Sequence, residues 1–186
     1  LTLGSYWDDS SPATIECDHQ CSKDGNVWTV QNANGSSGKG LRTLESATYN
    51  STNTVYARLV DAIGPESVVE MANRLGITSQ LNPNLSITLG SEGASPQEMA
   101  AAYSTLANSG TRIDPYLIER ITARDGTVLF EHEVQPREVL SPQIAASVVG
   151  AMEKGRTNGT GRRADLERPM AGKTGTATNS ADVWFV

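Results

Sequence analysis

The peptide Gly172-Lys173-Thr174-Gly175-Thr176-Ala177 is the part of the sequence that most strongly decides the fold. We predict that it is a strand, so that Lys173 and Gly175 lie on one face and Thr174 and Thr176 on the other. Gly175 has no side chain, so a second backbone or a ligand can approach closely there. A lysine, hydroxyl groups and exposed main-chain groups suit an anionic, extended ligand lying along an edge strand. An ordinary edge strand whose lysine discourages aggregation would show the same pattern.

Closer to the N-terminus, Ser51-Thr52-Asn53 places a hydroxyl and an amide two residues apart. We predict that this peptide lies at the junction of two helices, where both side chains can face one cleft. Serine is also a good helix N-cap, so the peptide alone fits a purely structural role. The lysine-bearing strand follows about 120 residues later. The two peptides are informative because they occur together and in this order.

Hydrophobic periodicity predicts helices and short strands around these two peptides. Apolar residues recur at helical spacing from Val55 to Ile63, and Ser95-Pro96-Gln97-Glu98 has the pattern of a capping box that begins a helix. Helices segregated from antiparallel strands indicate the α+β class. The predicted helices follow Thr43, span Thr52–Ile63, Glu66–Leu75 and Ser95–Leu106, and begin again at Ser141-Pro142. The predicted extended segments are Leu85–Gly90, Tyr116–Ala123, Thr127–Phe130, Met170–Thr178 and Asp182–Val186.

Residues 1–40 are rich in turn-forming residues, and we predict an irregular loop region with one or two short strands near Val27–Val30. Cys17 and Cys21 are the two cysteines of the chain. A disulfide between them is the favoured interpretation, and it would imply an oxidising, exported setting. The alternatives are a zinc site with His19 as a third ligand, although structural zinc usually has four, or two free thiols. We therefore predict neither a metal nor a cofactor.

The composition excludes several classes of protein. The 186 residues carry a net charge of −6, with 38% hydrophobic and 19% charged residues, which is typical of a globular domain. This acidic balance argues against a nucleic-acid partner, which would need a basic surface. No stretch reaches the roughly 18 apolar residues of a membrane span, and no signal peptide opens the chain. Both ends look cut, because the chain stops inside a predicted strand at Val186.

The Ser-x-Asn and Lys-Thr-Gly peptides together resemble two of the three active-site motifs of penicillin-binding proteins and related β-lactamases. Their surroundings resemble the transpeptidase domain of bifunctional, class A penicillin-binding proteins over residues 40–186, whereas residues 5–40 match loosely and resemble a lineage-specific loop. The resemblance implies a β-lactamase/transpeptidase-like fold, an antiparallel sheet flanked by helices, of which residues 1–186 are the C-terminal portion. The peptides that carry the resemblance are Ser51–Val55, Ile87–Ser91, Ala101–Gly110, Gly159–Gly161 and Asp182–Val186.

The third motif of the family, Ser-x-x-Lys, supplies the serine that is acylated. That string occurs here as Ser36-Ser37-Gly38-Lys39, but no helical pattern would hold its lysine one turn from its serine, and we interpret it as a chance match. The opening peptide Leu1–Gly4 instead resembles the sequence that follows the nucleophile helix. The resemblance therefore implies that the catalytic serine belongs to an N-terminal segment of the same protein that this chain lacks.

The resemblance implies a serine D,D-transpeptidase that crosslinks peptidoglycan stem peptides and is acylated by β-lactam antibiotics. Ser51 is expected to relay a proton, Asn53 to bind the substrate's amide, and Lys173 to set the positive potential of the cleft. Hydroxyls of the strand would bind the substrate's terminal carboxylate, and the backbone N–H of Thr176 would form part of an oxyanion hole. The expected catalytic residues are Ser51, Asn53, Lys173 and Thr176, and the expected substrate-binding residues are Thr174, Gly175 and Thr176.

Two other functions remain open at this point. A carboxypeptidase or β-lactamase of the same fold would share both motifs, and a non-catalytic β-lactam sensor domain would bind without turnover. In each case the resemblance implies a site on the cell-envelope side of the plasma membrane, anchored by a segment outside this chain. The isolated chain is expected to be inactive.

Overall fold

The computed structural model describes residues 1–17, 21, 25–164, 167–177 and 183–186. The α+β class is confirmed, because runs of helices are separate along the chain from runs of strands that pair in small antiparallel sheets. Within the described residues the α-helices are α1 (Leu44–Asn50), α2 (Asn53–Ile63), α3 (Pro65–Leu75), α4 (Pro96–Ala107) and α5 (Pro142–Asn158). The strands are β1 (Tyr6–Asp8), β2 (Ala13–Glu16), β3 (Val27–Val30), β4 (Leu41–Thr43), β5 (Thr111–Arg112), β6 (Arg120–Thr122), β7 (Val128–Glu131), β8 (Arg137–Glu138), β9 (Thr174–Thr176) and β10 (Val183–Phe185).

The strands form antiparallel two-stranded ribbons, which pair β1 with β4, β2 with β3, β5 with β8, β6 with β7 and β9 with β10. The hairpin β6–β7 is the one predicted from the Asp-Gly turn, and its side chains are exposed. The ends of two predicted strands, Thr178 and Asp182, lie outside the described residues. No helix in the described part of the chain has the length and apolar character that a membrane span requires.

Helix α2 lies at the centre of the core. Its residues Val55, Ala57 and Val60 are at most 1% exposed, and Ala57 packs against Ile15 and Val30 of the β2–β3 hairpin. Each fully buried aliphatic side chain of this kind contributes about 1.5–3 kcal/mol of transfer free energy. The predicted apolar stripe was wrong in part, because Val55 is buried but Ala62 and Ile63 are exposed, and the buried face runs through Thr54, Val55, Ala57 and Val60.

The N-terminal region is more regular than predicted. Strand β2 alternates buried and exposed side chains, and with β3 it forms a hairpin that enters the core. The prediction of an irregular loop over residues 1–40 was wrong on this point, because strands of three or four residues give too short a pattern to recognise. The structure joins Cys17 and Cys21 by a disulfide, while His19 lies outside the described residues.

The segment predicted to be extended at Leu85–Gly90 is instead a 3-10 helix over Leu85–Leu89. Side-chain hydrogen bonds supply the reason, since Asn84 Oδ1 accepts from the hydroxyls of both Ser86 and Ser91. Such local bonds stabilise a tight turn at the expense of an extended strand. Gly90 then ends the turn in a left-handed conformation.

Most helix starts follow the sequence signals closely. Ser95 accepts a hydrogen bond from the Glu98 backbone, and the Glu98 side chain accepts one from the Ser95 backbone, which completes the predicted capping box. At α5 the cap is a single bond, in which the Ser141 side chain accepts from the Ile144 N–H. These local interactions place the helices, and the packing of α1 against α5 then brings the C-terminal part of the chain to the Ser51 turn.

Candidate active site

Ser51 lies in the turn between α1 and α2, where the chain changes direction. Its backbone is left-handed, with φ 55° and ψ 51°, a conformation that costs a non-glycine residue about 1–2 kcal/mol. The α1 end holds this turn, because the Ser51 N–H donates to the Ala47 and Thr48 carbonyls. The N–H of Thr52 also donates to the Ala47 carbonyl at 2.9 Å. A left-handed residue is a common way to end a helix, and here it turns the chain from α1 into α2.

Lys173 makes direct contact with this turn. Its ammonium donates to Ser51 Oγ at 2.8 Å and to the carbonyl of Thr174 at 2.8 Å, although Lys173 and Ser51 are 122 residues apart in sequence. The backbone of Lys173 is fixed by two hydrogen bonds to Val186 that continue the β9–β10 ribbon. Burial lowers the pKa of the Lys173 ammonium below its usual value. The structure thus brings the two predicted motifs together.

A cleft of about 550 Å³ opens at this contact. It contains several of the predicted residues, namely Ser51, Asn53, Thr174 and Thr176, together with residues for which no role was predicted. Backbone groups, hydroxyls and amides dominate its surface, so it suits a polar, extended ligand. The lining residues are Asn32, Ala33, Ser36, Arg42, Asn50, Ser51, Thr52, Asn53, Thr160, Thr174 and Thr176.

Asn53 begins α2 and is half-buried at the edge of the cleft. Its amide nitrogen donates to the carbonyl of Gln31 at 3.0 Å. Since a backbone carbonyl can only accept, this contact fixes the orientation of the amide. Within the part of the chain that the structure describes, the amide oxygen and the second amide hydrogen make no hydrogen bond.

Thr160 is a site residue that the sequence reasoning did not assign. Its hydroxyl lies 2.6 Å from the hydroxyl of Thr174, and its N–H donates to the Tyr49 carbonyl at 3.2 Å. The preceding Gly159 permits this approach, because a Cβ there would lie 1.9 Å from the Tyr49 carbonyl oxygen. The Gly-Thr-Gly peptide was part of the family resemblance, and its two glycines were the available signal.

Gly175 pairs with Trp184 across the β9–β10 ribbon. A Cβ at Gly175 would meet only the Trp184 side chain, at an ordinary contact distance of 3.6 Å. Packing within the described residues therefore does not require glycine at this position. Gly172 is different, because a Cβ there would lie 2.5 Å from the Phe185 ring.

A second recess, of about 250 Å³, lies beside the same strand. It is more apolar than the cleft, and it includes Lys173, Tyr103 of α4 and Trp184 of β10. Lys173 therefore lines this recess, while its hydrogen-bond partner Ser51 lines the cleft. The lining residues are Leu89, Gly90, Glu92, Gly93, Ala94, Met99, Tyr103, Lys173, Thr174, Gly175, Thr176, Ala177, Trp184 and Val186.

The Ser36-Ser37-Gly38-Lys39 string has no helical geometry. The N–H of Lys39 donates to the carboxylate of Asp9 at 2.6 Å, and a Cβ at Gly38 would lie 2.1 Å from the Asp9 carbonyl oxygen. This loop is thus wrapped around Asp9, and its lysine is not one helical turn from a serine. The arrangement agrees with a chance match to Ser-x-x-Lys.

The comparisons with known proteins agree with this geometry. The family model described as the penicillin binding protein transpeptidase domain matches residues 11–183, so the match includes most of the N-terminal region that resembled the family only loosely. Penicillin-binding protein 1A of Aquifex aeolicus is 37% identical over 148 residues, which is 79% of this chain and 20% of that protein. Penicillin-binding protein 2D of Bacillus subtilis is 35% identical over 189 residues, which is 95% of this chain and 27% of that protein.

Solved structures show the same fold. The structure of PonA1 from Mycobacterium tuberculosis matches with a TM-score of 0.81 and 26% identity, over 100% of this chain and 52% of that one. Penicillin-binding protein 1A from Haemophilus influenzae matches with a TM-score of 0.86 and 23% identity, over 100% of this chain and 33% of that one. The chain therefore spans between a fifth and about half of the proteins that it matches.

Proposed function

Because this chain belongs to the family of penicillin-binding protein transpeptidase domains, we propose that it is part of a class A peptidoglycan D,D-transpeptidase. The observation that carries the proposal is the 2.8 Å hydrogen bond from the Lys173 ammonium to Ser51 Oγ. It joins the family's second and third motifs in one cleft. The nucleophilic serine would come from a segment of the same protein outside this chain.

The proposed reaction has two steps. The serine hydroxyl attacks the carbonyl carbon of the penultimate D-Ala, the C–N bond breaks, and the terminal D-Ala leaves with a proton on its amine. The amine of a neighbouring stem peptide then attacks the ester, which forms the crosslink and returns the proton to the serine. A β-lactam would acylate the same serine, because its strained amide stands in for the scissile bond.

Ser51 is suited to relay the proton that the leaving amine needs. Its hydroxyl accepts from the Lys173 ammonium, so its own proton is free to point into the cleft. Burial lowers the pKa of Lys173, which makes the ammonium a better proton donor than an exposed lysine. Ser51 can therefore donate to the departing nitrogen while it draws a proton from Lys173.

The other cleft residues would bind and orient the substrate. The hydroxyls of Thr174 and Thr176 suit the terminal carboxylate, and the free amide atoms of Asn53 suit a peptide group of the stem. The Thr176 N–H would contribute to an oxyanion hole, where one such donor is worth about 2.7–4 kcal/mol in other enzymes. Gly175 would keep the strand open to the backbone of the substrate.

The apolar recess beside Lys173 is the place we propose for the serine-bearing segment. Leu89, Met99 and Tyr103 give it a surface that an amphipathic helix could cover. Thr174 and Thr176 line both this recess and the cleft, so a serine there would lie beside the cleft that contains Ser51. The disulfide at Cys17 and Cys21 supports an extracytoplasmic location for the assembled protein.

A fluorescent penicillin tests the proposal directly. We expect no covalent label on the 186-residue chain, and stoichiometric label on a longer polypeptide of the same protein that includes the Ser-x-x-Lys segment. Replacement of Ser36 by alanine in the longer polypeptide serves as the control and should leave the label unchanged. Mass mapping of the label to a residue of this chain would refute the assignment of the nucleophile.

A further inference from the structure

Helix α2, which begins directly after the Ser51 turn, lacks a cap of its own. Its N-cap residue, Thr52, makes no side-chain hydrogen bond to the first turn of the helix. A helix start in this position leaves N–H groups that must find acceptors elsewhere. The acceptor for one of them comes from another part of the chain.

Asn32, in the loop after β3, supplies that acceptor. Its Oδ1 accepts from the N–H of Thr54 at 3.1 Å, and its Nδ2 donates to the carbonyl of Asp9 at 3.0 Å. Thr54 and Asp9 are both 0% exposed, and Asn32 is 9% exposed. The hydroxyl of Thr54 lies 3.1 Å from both Asn32 Oδ1 and the Asp9 carbonyl, so the polar groups of this network are satisfied among themselves.

Gln31, the residue before Asn32, also contacts the start of α2, at Asn53. The carbonyl of Gln31 accepts from the amide of Asn53 at 3.0 Å. Two consecutive loop residues therefore bind two consecutive residues at the start of α2. This double contact fixes both the backbone at Thr54 and the side-chain amide at Asn53.

The strained conformation of Ser51 explains why such a contact matters. A left-handed serine persists only where the chain on both sides is held in place. The end of α1 holds the N-terminal side of the turn, through the Ala47 carbonyl. The C-terminal side is held at Thr54 by Asn32. Loss of this second contact would let the turn relax and move Ser51 Oγ away from Lys173.

We propose that Asn32 is a positioning residue, which acts through Thr54 to keep Ser51 and Asn53 in their reactive geometry. The inference rests on the proposed function, because it assigns a role within the same site. Asn32 also lines the cleft, but its amide is engaged with Thr54 and Asp9 rather than directed at a ligand.

The first test measures acylation by a fluorescent penicillin in the longer polypeptide that carries the serine. Asn32→Ala should lower the acylation rate constant by about 10- to 100-fold in folded protein, because misplacement of reacting groups by about 1 Å has effects of this size. Ser95→Ala, which removes a cap bond from α4, is the matched control. It should lower the melting temperature comparably while the acylation rate stays within about twofold. Equal rates in the two variants would overturn the proposal.

Asn32→Asp gives a second readout that a general loss of stability would not produce. A protonated carboxyl group can reproduce both bonds of the amide, by accepting from Thr54 and donating to the Asp9 carbonyl, whereas a carboxylate can only accept. The charged groups around it are Asp9 and the guanidinium groups of Arg42 and Arg58. Arg42 forms an ion pair with Asp9, and Arg58 forms one with Asp8. The ratio of variant to wild-type acylation should therefore be highest at low pH and fall as pH rises. A ratio that does not change between pH 4.5 and 8 would contradict the proposed bonds.

Hydrogen exchange on the 186-residue chain separates this inference from the proposed function. The Thr54 amide should exchange at least about tenfold faster in Asn32→Ala than in wild type, and Ser95→Ala should leave it unchanged. If exchange at Thr54 does not change, Asn32 does not hold the turn, whether or not the longer protein reacts with penicillin. If wild type is not acylated at all, the proposed function fails, while the exchange result still decides whether Asn32 fixes the turn.

Discussion

Replacement of Lys173 by methionine should separate function from stability. Methionine keeps most of the length and volume of the side chain but removes the ammonium and its 2.8 Å bond to Ser51 Oγ. A hydrogen bond to a charged group contributes about 1.5–3 kcal/mol. At about 1.4 kcal/mol for each factor of ten, Lys173→Met should slow acylation by about 10- to 150-fold if the ammonium's hydrogen bonding becomes stronger by that amount in the transition state.

The melting temperature of Lys173→Met should not fall, although its acylation slows. Burial lowers the pKa of Lys173 from its usual 10.5, so the unfolded chain binds this proton more tightly than the folded chain does. Below its folded pKa, the charged lysine therefore lowers the free energy of unfolding. This loss becomes smaller as the pH rises from the folded pKa towards 10.5. Lys173→Met should melt at the same or a higher temperature than wild type at pH 7, and the difference should shrink towards pH 10.

Stopped-flow acylation of the longer polypeptide and thermal melts of the 186-residue chain would measure the two effects. Lys154→Met is the matched control, because Lys154 forms an exposed ion pair with Glu45, in which the side chains are 47% and 32% exposed. Such pairs contribute about 0–1 kcal/mol and lie outside the cleft. Acylation of Lys173→Met within about threefold of wild type, or a melting temperature well below it at pH 7, would refute the reasoning.

Two further predictions concern the surroundings of the site. Gly159→Ala would place a Cβ 1.9 Å from the Tyr49 carbonyl oxygen and should lower the free energy of unfolding in urea by about 1–3 kcal/mol, whereas Gly150→Ala, with nothing within 4 Å, should raise it by about 0.5–1 kcal/mol. Equal values for the two would contradict the close packing. The Ser95 backbone N–H and neighbouring donors hold the pKa of Glu98 well below its usual 4.5. This carboxylate therefore stabilises the fold fully above pH 4.5 and less as the pH falls towards its folded pKa. In Glu98→Gln the melting temperature should therefore fall less steeply below pH 4.5 than it does in wild type. Equal slopes of melting temperature against pH in the two proteins would exclude the effect.

The sequence predicted those parts of the fold that local interactions decide. The capping box at Ser95, the cap at Ser141 and the proline after each of them place α4 and α5 within one residue of their predicted starts. The two motif peptides were recognisable because several chemical groups must occur together within three or four residues. Their proximity in space, however, followed from the family resemblance and not from any local signal.

The remaining features depend on contacts between distant segments, which no local pattern reveals. Asn32 looks like an ordinary turn residue until its amide is seen to bind Thr54 and Asp9, which are 22 and 23 residues away. The strands around Asp9 are only three or four residues long, and their pairing depends on buried partners rather than on their own periodicity. Thr160 likewise becomes part of the site only because α5 packs on α1.

The C-terminal end of α1 offers a reason why a half-buried cation is tolerated in the cleft. Among the residues that the structure describes, no carboxylate forms a salt bridge with Lys173, so its charge is stabilised by oxygen atoms alone. The end of α1 contacts the C-terminal segment at two points, since the Tyr49 carbonyl accepts from the Thr160 N–H and the hydroxyl of Ser51, the residue after α1, accepts from Lys173. The negative end of a helix dipole favours a nearby cation by about 0.3–1 kcal/mol. A carboxylate would stabilise the cation more strongly, but it would also raise its pKa and repel an anionic substrate. In the proposed reaction, this arrangement would keep Lys173 charged enough to attract the substrate's carboxylate and acidic enough to pass a proton through Ser51.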